Sequence, residues 1–162
     1  MKKYRWILIL VNLIIILGVF NYSVFQKEEL LSNGQLILLE LAPVDPRSLM
    51  QGDYMSLRYA ITNSINSDSI SKTGFCIVTL EDNGVAKMAR IQEHKTPRYD
   101  KEYLIGYTSK QGRGIHIGAE SYFFQEGEAD KYENAKYGGI KIDHHGRSLL
   151  IGLFDENLKK IE

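Results

Sequence analysis

The stretch Pro43-Val44-Asp45-Pro46-Arg47-Ser48-Leu49-Met50-Gln51-Gly52-Asp53-Tyr54-Met55-Ser56-Leu57-Arg58-Tyr59 sets two prolines, two aspartates, two arginines and a Gly-Asp turn against an apolar strand. From Asp53 to Ile61 its residues alternate. Met55, Leu57, Tyr59 and Ile61 fall on one side, and Tyr54, Ser56, Arg58 and Ala60 on the other, the period-two pattern of a strand with one face buried. Leu57 and Tyr59 therefore read as core residues, whereas Tyr54 and Arg58 share the opposite face and can meet there. Upstream, Gln35 to Leu41 is apolar almost without interruption over strand length, which suits a strand covered on both faces. Pro43 and Pro46 end it.

Downstream, residues 62 to 73 are a polar loop. Strands over Gly74 to Leu80 and Val85 to Glu93 flank Glu81-Asp82-Asn83-Gly84, whose Asn-Gly pair signals a hairpin because both residues tolerate positive φ. Further strands are predicted at Glu102 to Thr108 and at Ile115 to Phe124, the latter interrupted at Gly118. Gly127 to Tyr137 has helical character, with Gly138-Gly139 available as its stop. Ile140 to Asp143 and Ser148 to Phe154 form a last hairpin around His144-His145-Gly146. Seven or eight short strands with one short helix predict a mostly β fold, a compact antiparallel β-sandwich or partly open barrel.

Ahead of this domain, Trp6 to Phe25 is almost wholly apolar, with Asn12 its main polar interruption, and matches the roughly 20 residues that a helix needs to cross a bilayer. Lys2, Lys3 and Arg5 precede the run, a bias that places the N-terminus in the cytoplasm and the domain outside it. A cleaved signal peptide is the competing reading. Gly18-Val19-Phe20-Asn21-Tyr22-Ser23 offers no small-x-small cleavage site, and the run exceeds a signal core, so an uncleaved single-pass anchor in the cytoplasmic (inner) membrane is expected. The chain thus divides into a basic head and anchor (1–25), a tether ending in the turn signal Ser32-Asn33-Gly34 (26–34) and an extracytoplasmic β domain (35–162).

With the three basic residues of the head set aside, 17 basic and 20 acidic side chains remain. A net charge near −3 argues against a nucleic-acid partner, whose binding depends on clustered positive charge. The single Cys76 has no partner for an internal disulfide, so the domain must be stable by packing alone.

The string Gly52-Asp53-Tyr54, then Leu57 and Tyr59, resembles the Gly-Asp-Tyr-x-x-Leu-x-Tyr pattern of the GDYXXLXY family of small bacterial membrane-anchored proteins. Pro43-Val44-Asp45-Pro46-Arg47 looks like that family's lead-in, and Phe124 to Gly138 is also similar, so the resemblance runs over about residues 36 to 154. It implies one N-terminal span, a domain outside the cytoplasm, no catalytic assignment, and association with polytopic membrane proteins.

Asp45, Arg47, Asp53 and Arg58 alternate in sign around one turn, so that Arg47 can reach Asp53 and Asp45 can accept backbone N–H groups. Such a network holds a proline-rich crossover in place, or it forms a recognition surface together with Tyr54 and Glu126. Nucleophilic catalysis is not indicated: Ser48 follows Pro46 within the turn, and no base stands at a matching spacing. His144-His145, with His94 and His116 elsewhere, lacks metal-ligand spacing; adjacent histidines point to opposite sides of an extended chain, and no metal or cofactor is expected. Tyr132 reads as core, and Tyr54 as the better interface candidate. The expected function is that of a non-catalytic accessory protein rather than an enzyme. The alternative is a membrane-tethered hydrolase or ligand-binding enzyme that uses Asp45, Asp53 and Glu126 as carboxylates.

Overall fold

The computed structural model describes residues 2–42, 50–51, 54–63, 65, 70–110, 114–125 and 127–162. Helix α1 runs unbroken from Lys2 to Asn33. Every side chain from Tyr4 to Phe25 is exposed, although most are Leu, Ile, Val or Phe, so nothing in the domain covers this surface. A helix apolar all round requires a non-aqueous surrounding, and this one is long and apolar enough to cross a membrane. The residues read as a tether are helical through Asn33. Leu30 is their buried member.

Among the described residues ten strands follow: β1 (Gln35–Glu40), β2 (Met50–Gln51), β3 (Tyr54–Ser56), β4 (Thr73–Leu80), β5 (Ala86–Gln92), β6 (Glu102–Lys110), β7 (Gly114–His116), β8 (Ser121–Phe123), β9 (Tyr137–Ile142) and β10 (Ser148–Phe154). Single-turn helices α2 (Ala60–Asn63) and α3 (Ala129–Tyr132) interrupt them among the described residues. The strands form three antiparallel sheets in the orders β1-β9-β10, β2-β3-β8 and β5-β4-β6-β7, curled into a half-barrel. The fold is mostly β, as the strand count predicts.

β1 explains how the sheets join. Ile37 and Leu39 point into the main core with Leu57, Tyr59, Cys76, Ile105 and Ile140. On the opposite face, Leu38 packs with Val85 and Phe154 in a second cluster. Its N–H also donates to the Gly84 carbonyl at 3.0 Å, tying β1 to the β4–β5 turn. At its centre the strand is covered on both faces, which is why Ile37, Leu38 and Leu39 are consecutive apolar residues, while Leu36 and Glu40 on the second face stay exposed.

Several predicted boundaries move, each for a local reason. The strand expected to reach Ile61 ends at Ser56, and after Tyr59 the chain turns into α2, where the Thr62 hydroxyl and N–H both donate to the Tyr59 carbonyl at 2.8 and 3.0 Å. In the β4–β5 hairpin only Gly84 takes positive φ (84°), while Asn83 uses its Oδ1 to accept the Val85 N–H. A turn from Glu81 closed by Gly84, with a left-handed glycine before the next strand, replaces the two-residue turn expected from Asn-Gly. The strand read over Ile115 to Phe124 is divided into β7 and β8 around Gly118, at φ 81°.

The helix predicted from Gly127 to Tyr137 shrinks to the single turn α3. Lys136 already donates its N–H to Phe154 at 2.8 Å, and Tyr137 opens β9. Gly138 and Gly139 are therefore buried strand residues and not a helix stop. They admit the Tyr59 and Phe154 rings, which occupy the space where side chains would begin.

Candidate functional site

The family-type motif organises the domain from the inside. Met55, Leu57 and Tyr59 are buried at 2%, 2% and 1% exposure, while Tyr54, Ser56 and Arg58 face solvent, which is the alternation expected of them. The Leu57 N–H donates to the Glu120 carbonyl at 2.7 Å, and the Ala42 N–H donates to the Arg58 carbonyl at 2.8 Å. Leu41 and Tyr59 form an antiparallel bridge. The motif strand thus clamps the end of β1 on one side and the segment before β8 on the other.

Tyr59 is the pivot of this arrangement. Its hydroxyl donates to the Ala119 carbonyl at 2.5 Å, sixty residues away. Burial first, and the nearby Glu120 carboxylate second, push its pKa well above the usual phenol range, so the proton stays in place. The Glu120 Oε1 accepts the N–H groups of Ile117 and Gly118, so backbone dipoles hold the charge and fix the 117–120 segment. Beside this segment, Arg58, Tyr59, Thr62, Asn63, His116 and Glu120 border a cleft of about 530 Å³. The polar groups of this cleft come from the end of the motif strand, α2, β7 and the 117–120 segment.

The outer face of the same sheet carries a feature that sequence reasoning missed. Tyr54 stands opposite Phe123 in the β3–β8 register, with ring centroids 5.8 Å apart. Phe123 is 72% exposed and Tyr54 37%. Tyr54 thus packs against β8 rather than meeting Arg58. Phe123 belongs to the run Tyr122-Phe123-Phe124, and alternation assigns its neighbours inward: Tyr122 and Phe124 contact the buried Tyr132 with centroids 5.0 and 5.5 Å apart. Tyr132 is a core residue, as read from its helical row.

Asp45, Arg47, Asp53 and Glu126 lie outside the described residues, and with them the sign-alternating network and the carboxylate trio. The histidine pair differs from expectation. The rings of His144 and His145 lie with centroids 3.9 Å apart instead of pointing to opposite sides, because the two residues sit in the β9–β10 turn and not in extended chain. No group of three or more metal-ligating side chains occurs among the described residues.

Around this turn, charge is organised. Asp143 accepts the backbone N–H groups of His145 and Arg147, both at 2.9 Å, and the Arg147 Nε at 2.6 Å. Burial alone would raise its pKa, but these hydrogen bonds outweigh it and hold the carboxyl below the usual range. Glu102 is likewise lowered, chiefly by Arg90 and then by the Tyr99 N–H.

No curated protein and no solved structure matches the chain. A family model does, and its match begins inside α1 and ends in β10, spanning helix and domain together. Since that match over residues 16–153 takes in the motif and the strands it clamps, the chain belongs to the GDYXXLXY protein family.

Proposed function

We propose that this protein is a non-catalytic interaction module. It is held at the cytoplasmic membrane by α1, with the N-terminus inside and the β domain outside, and it engages a polytopic membrane protein. The observation that carries the reading is the Tyr54–Phe123 pair. Two large rings stand exposed and in contact on one sheet face, although the domain has a complete core elsewhere. Aromatic side chains in this setting supply contact area at low entropic cost and are the residues most enriched among interface hot spots. The basic head before α1 supports the orientation. A helix that runs without a break into the domain supports a partner at the same membrane, because the domain has little reach away from it.

A photo-crosslinking residue placed at Phe123 in the full-length protein, in native membranes, tests the proposal. The expected result is a discrete adduct with an integral membrane protein, lost when Tyr54 is also changed to Ala. Absence of any adduct from 123, together with normal membrane insertion, refutes the interface. Protease added from outside should digest the domain, and protection of the domain refutes the orientation.

A further inference from the structure

The junction of α1 with the domain encloses a cleft of about 330 Å³ bordered by Ser23, Gln26, Lys27, Ile117, Arg147 and Ser148. Its ionic lining is two cations with no carboxylate. Lys27 has no hydrogen-bond or ion-pair partner among the described residues. Arg147 spends its Nε on Asp143, and its Nη2 lies 3.8 Å from Glu29, which leaves guanidinium N–H groups unused.

The cleft is built rather than incidental. Leu30 of α1 is buried at 5% exposure against the domain. The Lys141 Nζ donates to the Leu31 and Ser32 carbonyls at the C-terminal end of α1, where a cation is also favoured by the helix dipole. The Ser148 hydroxyl donates to the Ile117 carbonyl at 2.5 Å, joining the start of β10 to the segment between β7 and β8. The helix and the β9–β10 turn are therefore held in one relation to each other.

Its height in the membrane follows from helix geometry. With Trp6 to Phe25 filling the hydrocarbon core at 1.5 Å per residue, about 30 Å, Gln26 and Lys27 fall at the boundary between acyl chains and headgroups, with Ser23 one turn inside it. Two cations, two hydroxyls and a carboxamide meet there beside the apolar Leu30 and Ile117. Guanidinium and ammonium groups are the side chains that bind phosphate. A second cavity of about 360 Å³ also borders Arg147 and adds Arg98 and Lys101, which have no acidic partner among the described residues. Three carboxylates border it as well: Glu102 is engaged by Arg90, and Asp143 and Glu29 by Arg147.

We propose that the Lys27–Arg147 cleft binds the phosphate headgroup of an anionic phospholipid from the surrounding leaflet. The inference rests on α1 being the membrane anchor, but not on the protein–protein contact at Phe123. Bound there, the lipid bridges helix and domain and sets the domain's orientation on the membrane.

The test uses the purified full-length protein in nanodiscs of phosphatidylcholine with increasing phosphatidylglycerol, reading thermal stability and the lipids retained in native mass spectrometry. Phosphatidylglycerol should be retained selectively and should raise the melting temperature. Lys27→Gln should weaken retention by about five-fold, the effect of one cation at a membrane surface. Lys95→Gln, an exposed basic residue outside the cleft, should leave retention unchanged. Equal retention of the two lipids, or equal effects of the two variants, overturns the site. The same stabilisation by inorganic phosphate in neutral detergent also overturns it, assigning the cations to a soluble anion. Failure of the protein to enter nanodiscs identifies α1 as the fault, separately from the cleft.

Discussion

The Tyr59 ring lies against the backbone of Gly138 so closely that a side chain on Gly138 would begin 2.9 Å from its Cε1. Both residues are buried, one in the motif strand and one in β9, so neither has room to retreat. The family-naming tyrosine and Gly138, far along the chain in β9, are two halves of one packing contact, while Gly139 makes room for Phe154 in the same way. Gly138→Ala should destabilise the protein by roughly 1–3 kcal/mol, the usual cost of overpacking a closed site. Urea unfolding of the detergent-solubilised full chain measures it. A wild-type midpoint would show that the ring moves freely.

Removing the Tyr59 hydroxyl while keeping its ring isolates the hydrogen bond to Ala119. Tyr59→Phe should cost about 1–3 kcal/mol, the range for leaving a buried acceptor unsatisfied. It should also raise amide hydrogen exchange at Ile117 to Glu120, because the carbonyl that anchors that segment is released. Unchanged exchange there would place the anchoring wholly on Glu120.

The two faces of the motif strand should respond differently. Leu57→Ala empties a packed core site and should lose about 2–5 kcal/mol. Tyr54→Ala should lose far less stability, since its ring is partly exposed and touches Phe123 at the surface, yet it should abolish crosslinking from position 123. If Tyr54→Ala unfolds the domain as badly as Leu57→Ala, the exposed pair belongs to the architecture and not to an interface.

Cys76 is fully buried on β4, and burial pushes its thiol pKa up to about 11. The thiolate is the reactive form. Labelling by a water-soluble disulfide reagent at pH 7.5 should therefore be negligible in the native protein and complete in denaturant. Rapid native labelling would mean that the β4–β6 core opens readily.

Acid should loosen the junction between helix and domain. The folded pKa of Asp143 is lowered, so its stabilisation is fully present above the unfolded value near 4 and is lost as pH falls through the folded value. Glu102 acts in the same direction. Melting temperature should stay level from pH 7 to about 5 with respect to these groups and decline below about 4. Asp143→Asn should lower stability at neutral pH and flatten that decline, and an unaltered acid profile in this variant would assign the loss elsewhere.

Elements with strong local signals were legible without any tertiary knowledge. The apolar run of α1 needs no partner to be recognised, because a twenty-residue stretch without charge suits lipid better than water. Met55, Leu57 and Tyr59 revealed their burial because a strand with one wet face writes the difference every second residue. The hairpin at Asn83-Gly84 was visible because few sequences tolerate a left-handed residue. Tertiary structure decided the rest through contacts between residues far apart in the chain. Gly138-Gly139 reads locally as the end of a helix, and only the arrival of the Tyr59 and Phe154 rings makes it a strand. Phe123 became an exposed partner of Tyr54 through the register of β8 on β3, which no local pattern encodes. Lys27 and Arg147, 120 positions apart, border one cleft only because α1 continues past its exposed apolar stretch and docks beside the β9–β10 turn. Periodicity reports which face of an element is dry. Which distant element dries it, and which charges that contact brings together, is set by long-range packing.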